Sequence, residues 1–121
     1  MPVVQAANGN WSELPKLNRR RDEHLSTKAM QRLFEISKER KCRLPGQGYG
    51  ELNLRLSFAA RFKPDGTLTQ LVLPKLNCPE AEGILAGVPL DMVKGGDYRP
   101  VHPSELGWHR GDMTFGWVAE R

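Results

Sequence analysis

The sequence predicts a small α+β domain, a three-stranded antiparallel sheet packed on helices in the order (α)ββαβ. Three observations predict it. "ELNLRLSFAARF" places Leu52, Leu54, Leu56, Phe58, Ala60 and Phe62 in alternation with Asn53, Arg55, Ser57, Ala59 and Arg61, a two-residue period with one apolar face. "KPDG" follows, with Pro64, Asp65 and Gly66 in the order that a tight turn ending on a left-handed glycine prefers. Segments with three- and four-residue apolar spacing lie on either side of this hairpin.

Taken in order, residues 1–22 read as an extended N-terminal arm and residues 23–121 as a single domain. Gly9, Asn10, Pro15 and the run Arg19-Arg20-Arg21 carry no sustained period, and Trp11, Leu14 and Leu17 are the arm's expected anchors. "STKAMQRLFEISKERK" opens on Ser26 or Thr27 as a cap. Ala29, Met30, Leu33, Phe34 and Ser37 then recur at helical spacing, predicting an amphipathic helix over about 27–41. Lys38, Arg40, Lys41 and Arg43 cluster at its end, where the helix dipole favours cations.

"RLPGQGYG" breaks that helix. Its three glycines follow a helix and open a strand, the reverse of a dinucleotide-binding fingerprint, so the segment is a loop. "TLTQLVLP" is the return strand, giving a hairpin over 51–73 whose imperfect second alternation points to a bulge. Next, "NCPEAEGILAGVPLDMVKGG" reads as a helix in two pieces. Asn77 or Cys78 caps it, Pro79 fits its first turn, Glu80 and Glu82 suit its positive end, and Gly95-Gly96 stops it. Pro89 lacks a backbone donor, so a break is expected near 85–88. "RGDMTFGWV" alternates Met113, Phe115 and Trp117 against Asp112, Thr114 and Gly116 and forms the last strand.

The 121 residues suffice for one modest core, and 39% hydrophobic with 26% charged residues is the composition of a folded domain. The formal charge is +4 and the isoelectric point about 9.3, mild values that fit a mixed solvated surface. "MPVVQAANGN" has neither a basic start nor a long apolar stretch, so no signal peptide is visible in it.

Catalytic patterns are scarce. His24, His102 and His109 form no His-x-x-x-His pair, and the chain has no Cys-x-x-Cys, nucleophile elbow or Walker loop. The expectation is therefore no catalytic residue, no metal site and no cofactor. Cys78 leaves three readings open. At a helix N-terminus it would be an activated thiol, with His102 or His109 as base. It would alternatively be a structural buried thiol. In the third reading it is half of a disulfide with Cys42, because the antiparallel hairpin brings both cysteines toward one end of the sheet. Closing that loop would stabilise the fold by about 4 kcal/mol through lost chain entropy and implies an oxidising compartment. A nucleic-acid surface built on Arg19–Arg21 and Lys38–Arg43 is the other function class the charges allow.

Residues 48–118 resemble the C-terminal domain of the TonB and TolA class of periplasmic energy transducers. The resemblance is carried by "GELNLRLSFAARFKPDG", by the basic–aromatic–proline sequence Lys94, Tyr98, Arg99, Pro100 after the helix, and by the short amphipathic "GDMTFGWV". "NCPEAEG" with an upstream cysteine is similar to short secreted members of this class. The resemblance implies a non-catalytic periplasmic module, delivered by a signal that this stretch does not show. It also implies capture of an extended peptide from an outer-membrane receptor or other envelope protein by addition to a sheet edge, or pairing with a second copy. The corresponding edge is Asp112, Met113, Thr114, Phe115, Gly116, Trp117 and Val118. The resemblance implies no nucleic-acid partner and no direct membrane insertion. Two departures from the pattern are the absence of a membrane helix and proline-rich spacer in this stretch, and Pro89 within the helix.

Overall fold

A computed structural model describes residues 2–38, 44, 47–48, 51–101 and 107–118. The order of elements is β1 (Val3–Ala6), β2 (Asn18–Arg19), α1 (Thr27–Lys38), β3 (Gln47–Gly48), β4 (Glu51–Phe62), β5 (Leu68–Leu73), α2 (Pro79–Lys94), β6 (Tyr98–Arg99) and β7 (Trp108–Val118). The α+β class and the ββαβ centre are as the sequence predicts, but the sheet is larger than three strands. It has five, with β1 parallel to β5, β5 and β3 antiparallel to β4 along one edge, and β7 antiparallel to β4 along the other. A separate two-stranded ribbon joins β2 to β6.

The two-residue period of β4 sends Leu54, Leu56, Phe58, Ala60 and Phe62 to one face, and all are buried. Across β7 the partners of Leu54, Leu56, Phe58 and Ala60 are Phe115, Met113, Gly111 and His109, so these share the same face. The helices cover that face. α1 contributes Met30, Leu33 and Ile36, and α2 contributes Ala81, Leu85, Ala86, Val88 and Met92, all buried. Arg32 ties the two helices by a fork onto Glu80, at 2.6 and 2.9 Å.

The hairpin turn forms as its sequence dictates. Gly66 has φ +87°, the Asp65 carboxylate accepts from the Thr67 N–H at 2.8 Å, and Lys63 and Thr67 close the loop. The expected bulge is present as a register shift. Arg61 faces Gln70 but Phe62 faces Leu68, leaving Thr69 unopposed, with its hydroxyl bonded to Arg61 O.

Pro89 does not divide the second helix; α2 runs unbroken from Pro79 to Lys94. The pyrrolidine is almost wholly buried in the core, so packing offsets the hydrogen bond that the ring removes. No side chain caps α2 at Cys78, but the Glu82 carboxylate reaches back to the Leu76 N–H at 2.7 Å. At the other end Gly96 has φ +76°, Gly96 N–H bonds to Val93 O and Asp97 N–H to Met92 O, the paired bonds of a Schellman stop. In α1 the Ser26 hydroxyl accepts from Ala29 N–H, confirming the expected cap. The segment 39–43, with the remainder of the predicted helix and Cys42, lies outside the described residues.

The arm is part of the sheet at both ends. β1 extends the sheet beyond β5, and Ala7 N–H adds a bond to Leu73 O. The chain then crosses the face away from the helices to reach the far side of β7, where Pro15–Leu17 lie beside Arg110. Ala59 and Val72, on this face, are consequently buried although the period of the sheet points them away from the core. Leu17 is buried, whereas Trp11 and Leu14 are half-buried.

Phe58 and Gly111 face each other at the centre of the sheet, and a Cβ on Gly111 would overlap the Phe58 ring. Replacing Gly111 by alanine should therefore destabilise the domain by about 1–3 kcal/mol through forced displacement of a buried ring. Urea unfolding checks this, and an unchanged midpoint would contradict the packing described.

Candidate functional site

The edge predicted from the sequence lies on β7. Arg110 fixes its geometry. Its N–H donates to Pro15 O at 2.9 Å, and its carbonyl accepts from Leu17 N–H at 2.8 Å, so both main-chain groups point away from β4. The pairing of β7 with β4 is continuous from 108 to 118, and in a regular strand these directions repeat every second residue. Asp112, Thr114, Gly116 and Val118 therefore aim their N–H and C=O groups to the outer edge, while Met113, Phe115 and Trp117 use theirs on β4.

Beyond Arg110 no strand pairs with this edge among the described residues. The arm leaves it at Asn18 to pair with β6, and a cavity of about 250 Å³, bordered by Lys16, Asn18, Tyr98 and Asp112, marks the departure. Met113 and Phe115 are buried in the core, whereas Thr114 and Gly116 are exposed on the opposite face. Asp112 is already engaged: the Ser57 hydroxyl donates to it at 2.5 Å and Lys16 Nζ stands 3.9 Å away. The side chains of Trp117 and Val118 lie outside the described residues.

What holds the arm in place was not legible as a site in the sequence. The Tyr98 hydroxyl donates to Glu23 at 2.8 Å, and the Arg19 guanidinium donates to the same oxygen at 2.7 Å. Burial opposes ionisation of Glu23, but hydrogen bonds from Arg19, the main chain and Tyr98 outweigh it and hold this carboxyl below its ordinary 4.5. Burial, then the bond to Glu23, raises the Tyr98 hydroxyl well above its ordinary value and keeps it protonated. Arg21 pairs with Asp97 at 2.7 Å. Two of the three arginines in the run 19–21 are thus paired with carboxylates, which weakens their claim as a phosphate-binding cluster.

Cys78 is buried, and no free cysteine occurs among the described residues. Its predicted partner Cys42 lies outside the described residues. His109 is buried on the core side of β7, edge-on to Phe62 with ring centres 5.6 Å apart. Its Nδ1 lies 3.2 Å from Gly107 O, and a carbonyl only accepts, so that nitrogen carries the proton. His102 lies outside the described residues. No described helix is long and apolar enough to cross a membrane.

Comparison of the chain with protein-family models, with curated proteins and with solved structures finds no match.

A carboxyl held below its ordinary value stabilises the fold when charged, fully above about pH 4.5, and loses that contribution as pH falls through its folded value. Glu23→Gln should therefore be less stable than the natural chain at neutral pH, with the gap closing below pH 4.5. Urea midpoints measured across that range test this, and a gap independent of pH would contradict it.

Proposed function

We propose that this chain is a non-catalytic periplasmic binding module of the TonB C-terminal-domain kind, which takes up an extended peptide of an outer-membrane or envelope partner as a strand on the edge Asp112–Val118. The observation that carries this reading is the outer edge of β7 after Arg110, which no strand pairs among the described residues. An edge with main-chain groups free at every second residue is a template for another strand, and alternate side chains then supply specificity. The ββαβ order, with its last strand beside the first strand of the hairpin, supports the resemblance on which the reading rests. A second copy of the chain is the other occupant that this edge would accept.

The Cys42–Cys78 disulfide belongs to the same proposal, and the burial of Cys78 without a free thiol supports it. The intact protein should be two hydrogen atoms lighter than its reduced form by mass spectrometry and should resist alkylation until reduced. Alkylation of both native thiols would remove the oxidising compartment from the proposal.

Peptides cut from outer-membrane receptors and screened by display would yield a binder for titration. Amide shifts should concentrate at residues 112–118; shifts confined to 19–21 and 38–43 would favour the nucleic-acid reading instead. Proline substitution gives a sharper test, because its effect depends on parity. Thr114→Pro removes a donor that the fold does not use, so the protein should stay folded and lose about tenfold or more in peptide affinity. Met113→Pro removes a donor to β4 and should unfold the sheet. Equal peptide binding by Thr114→Pro would overturn edge addition.

A further inference from the structure

The other edge of β4 has a gap. β3 pairs with residues 51–52 and β5 with residues 59–62, and between them Arg55, Leu56 and Ser57 meet no strand among the described residues. The interruption has a cause in the sequence, since β5 ends at Leu73 and Pro74 turns the chain away. Strand parity states which groups face the gap. Ala59 lies opposite Arg110, whose main chain points away from β4, so the main chain of Ala59 points toward β5. Counting back by twos, the N–H groups of Ser57 and Arg55 point into the gap.

A cavity of about 390 Å³ occupies this place, roofed by the arm at Gly9–Ser12. One wall is cationic. Arg55 and Arg110 border it, and neither guanidinium has an ion pair or side-chain hydrogen bond among the described residues. Arg110 Nε is itself buried and has no hydrogen-bond partner among the described residues. Asp112, on this face, is engaged by Ser57 and Lys16. The other wall is apolar, made by Trp11, Pro74 and Leu76. Trp11 can lie here because residue 9 is glycine; a Cβ at that position would stand 3.1 Å from the indole nitrogen.

We infer that this cavity is a binding site for an organic carboxylate, its charged head on Arg55 and Arg110 and its apolar body against Trp11, Pro74 and Leu76. Two guanidinium groups with inward main-chain N–H donors match the lone-pair geometry of a carboxylate, and the gap in the sheet supplies donors that no strand among the described residues consumes. The indole wall sets the preference against a bare inorganic anion. The carboxylate comes either from a free small acid or from the C-terminus of a bound peptide. The inference is independent of strand addition at the β7 edge.

The Trp11 indole N–H signal, assigned with Trp11→Phe, reads the site directly. Titration with hexanoate should move it saturably, together with the amides of Arg55 and Ser57, with a dissociation constant of about 1 mM, the range of a small fragment. Hexylammonium and inorganic phosphate should leave it in place. Arg55→Ala, at an exposed side chain, should weaken hexanoate about tenfold through loss of a charge-assisted hydrogen bond. A peptide ending in leucine, as free acid and as amide, distinguishes the sources. A free acid that binds more tightly than hexanoate identifies a peptide terminus, and hexanoate binding as well or better identifies a small acid; either supports the site. Phosphate shifting Trp11 as strongly as hexanoate, or no saturable shift with hexanoate or the acid peptide, would overturn the inference. So would unchanged affinity in a folded Arg55→Ala protein.

Discussion

The packing of Phe58 against Gly111 is the constraint on which the remaining structure depends. Phe58 is fully buried at the middle of the longest strand, and its ring occupies the volume that any side chain on Gly111 would fill. Burial of such a ring stabilises by about 1.5–3 kcal/mol, and the tilted contact with Tyr98, with centroids 5.5 Å apart, adds about 0.5–1.5 kcal/mol. Tyr98 then reaches Glu23, and Glu23 reaches Arg19. One aromatic position in the sheet thus orients β6, the β2 ribbon and the point where the arm leaves β7.

That departure point defines the candidate binding edge. Sheets expose two edges, and here the arm treats them differently. It pairs fully with β5 through β1, but touches β7 only around Arg110. Val3 and Val4 are exposed at 57% and 42%, so β1 contributes by main-chain pairing more than by burial. The treatment of the β7 edge is the opposite. Its described core-facing side chains are buried while the main-chain groups of alternate residues meet no strand among the described residues, which combines a rigid strand with an open ladder.

The hairpin and the last strand were legible because their apolar residues alternate with polar ones, and burial on one face requires that alternation. Met113 and Phe115 sit where the pattern puts them. β1 was not legible because all four of its side chains are exposed, so nothing in "VVQA" had to repeat with the period of a buried face. The two-residue strands β2, β3 and β6 are too short to carry a period. Pro89 misled in the opposite direction. Its backbone chemistry argues for a break, but the proline ring is fully buried and the helix stays whole. The edge itself could be named from the order of elements, whereas its first free residue depends on Pro15–Leu17, a contact across more than ninety residues that no local pattern encodes.

The cavity at Arg55 was illegible for a related reason. "LNLRLSF" is a regular strand in sequence, and nothing in it reveals that its neighbour turns away at Pro74. Arg110 links the two surfaces without making them one. Its main chain holds the arm against β7, while the residue also borders the cavity beside Gly9–Ser12. A ligand that draws on its guanidinium leaves the N–H and carbonyl of Arg110 engaged with Pro15 and Leu17, so the boundary of the free edge stays where it is. Displacing the arm would do the reverse, lengthening the edge by one rung and unroofing the cavity at once. The arm, ordered by Glu23 and Tyr98, is therefore the element through which the two surfaces would communicate.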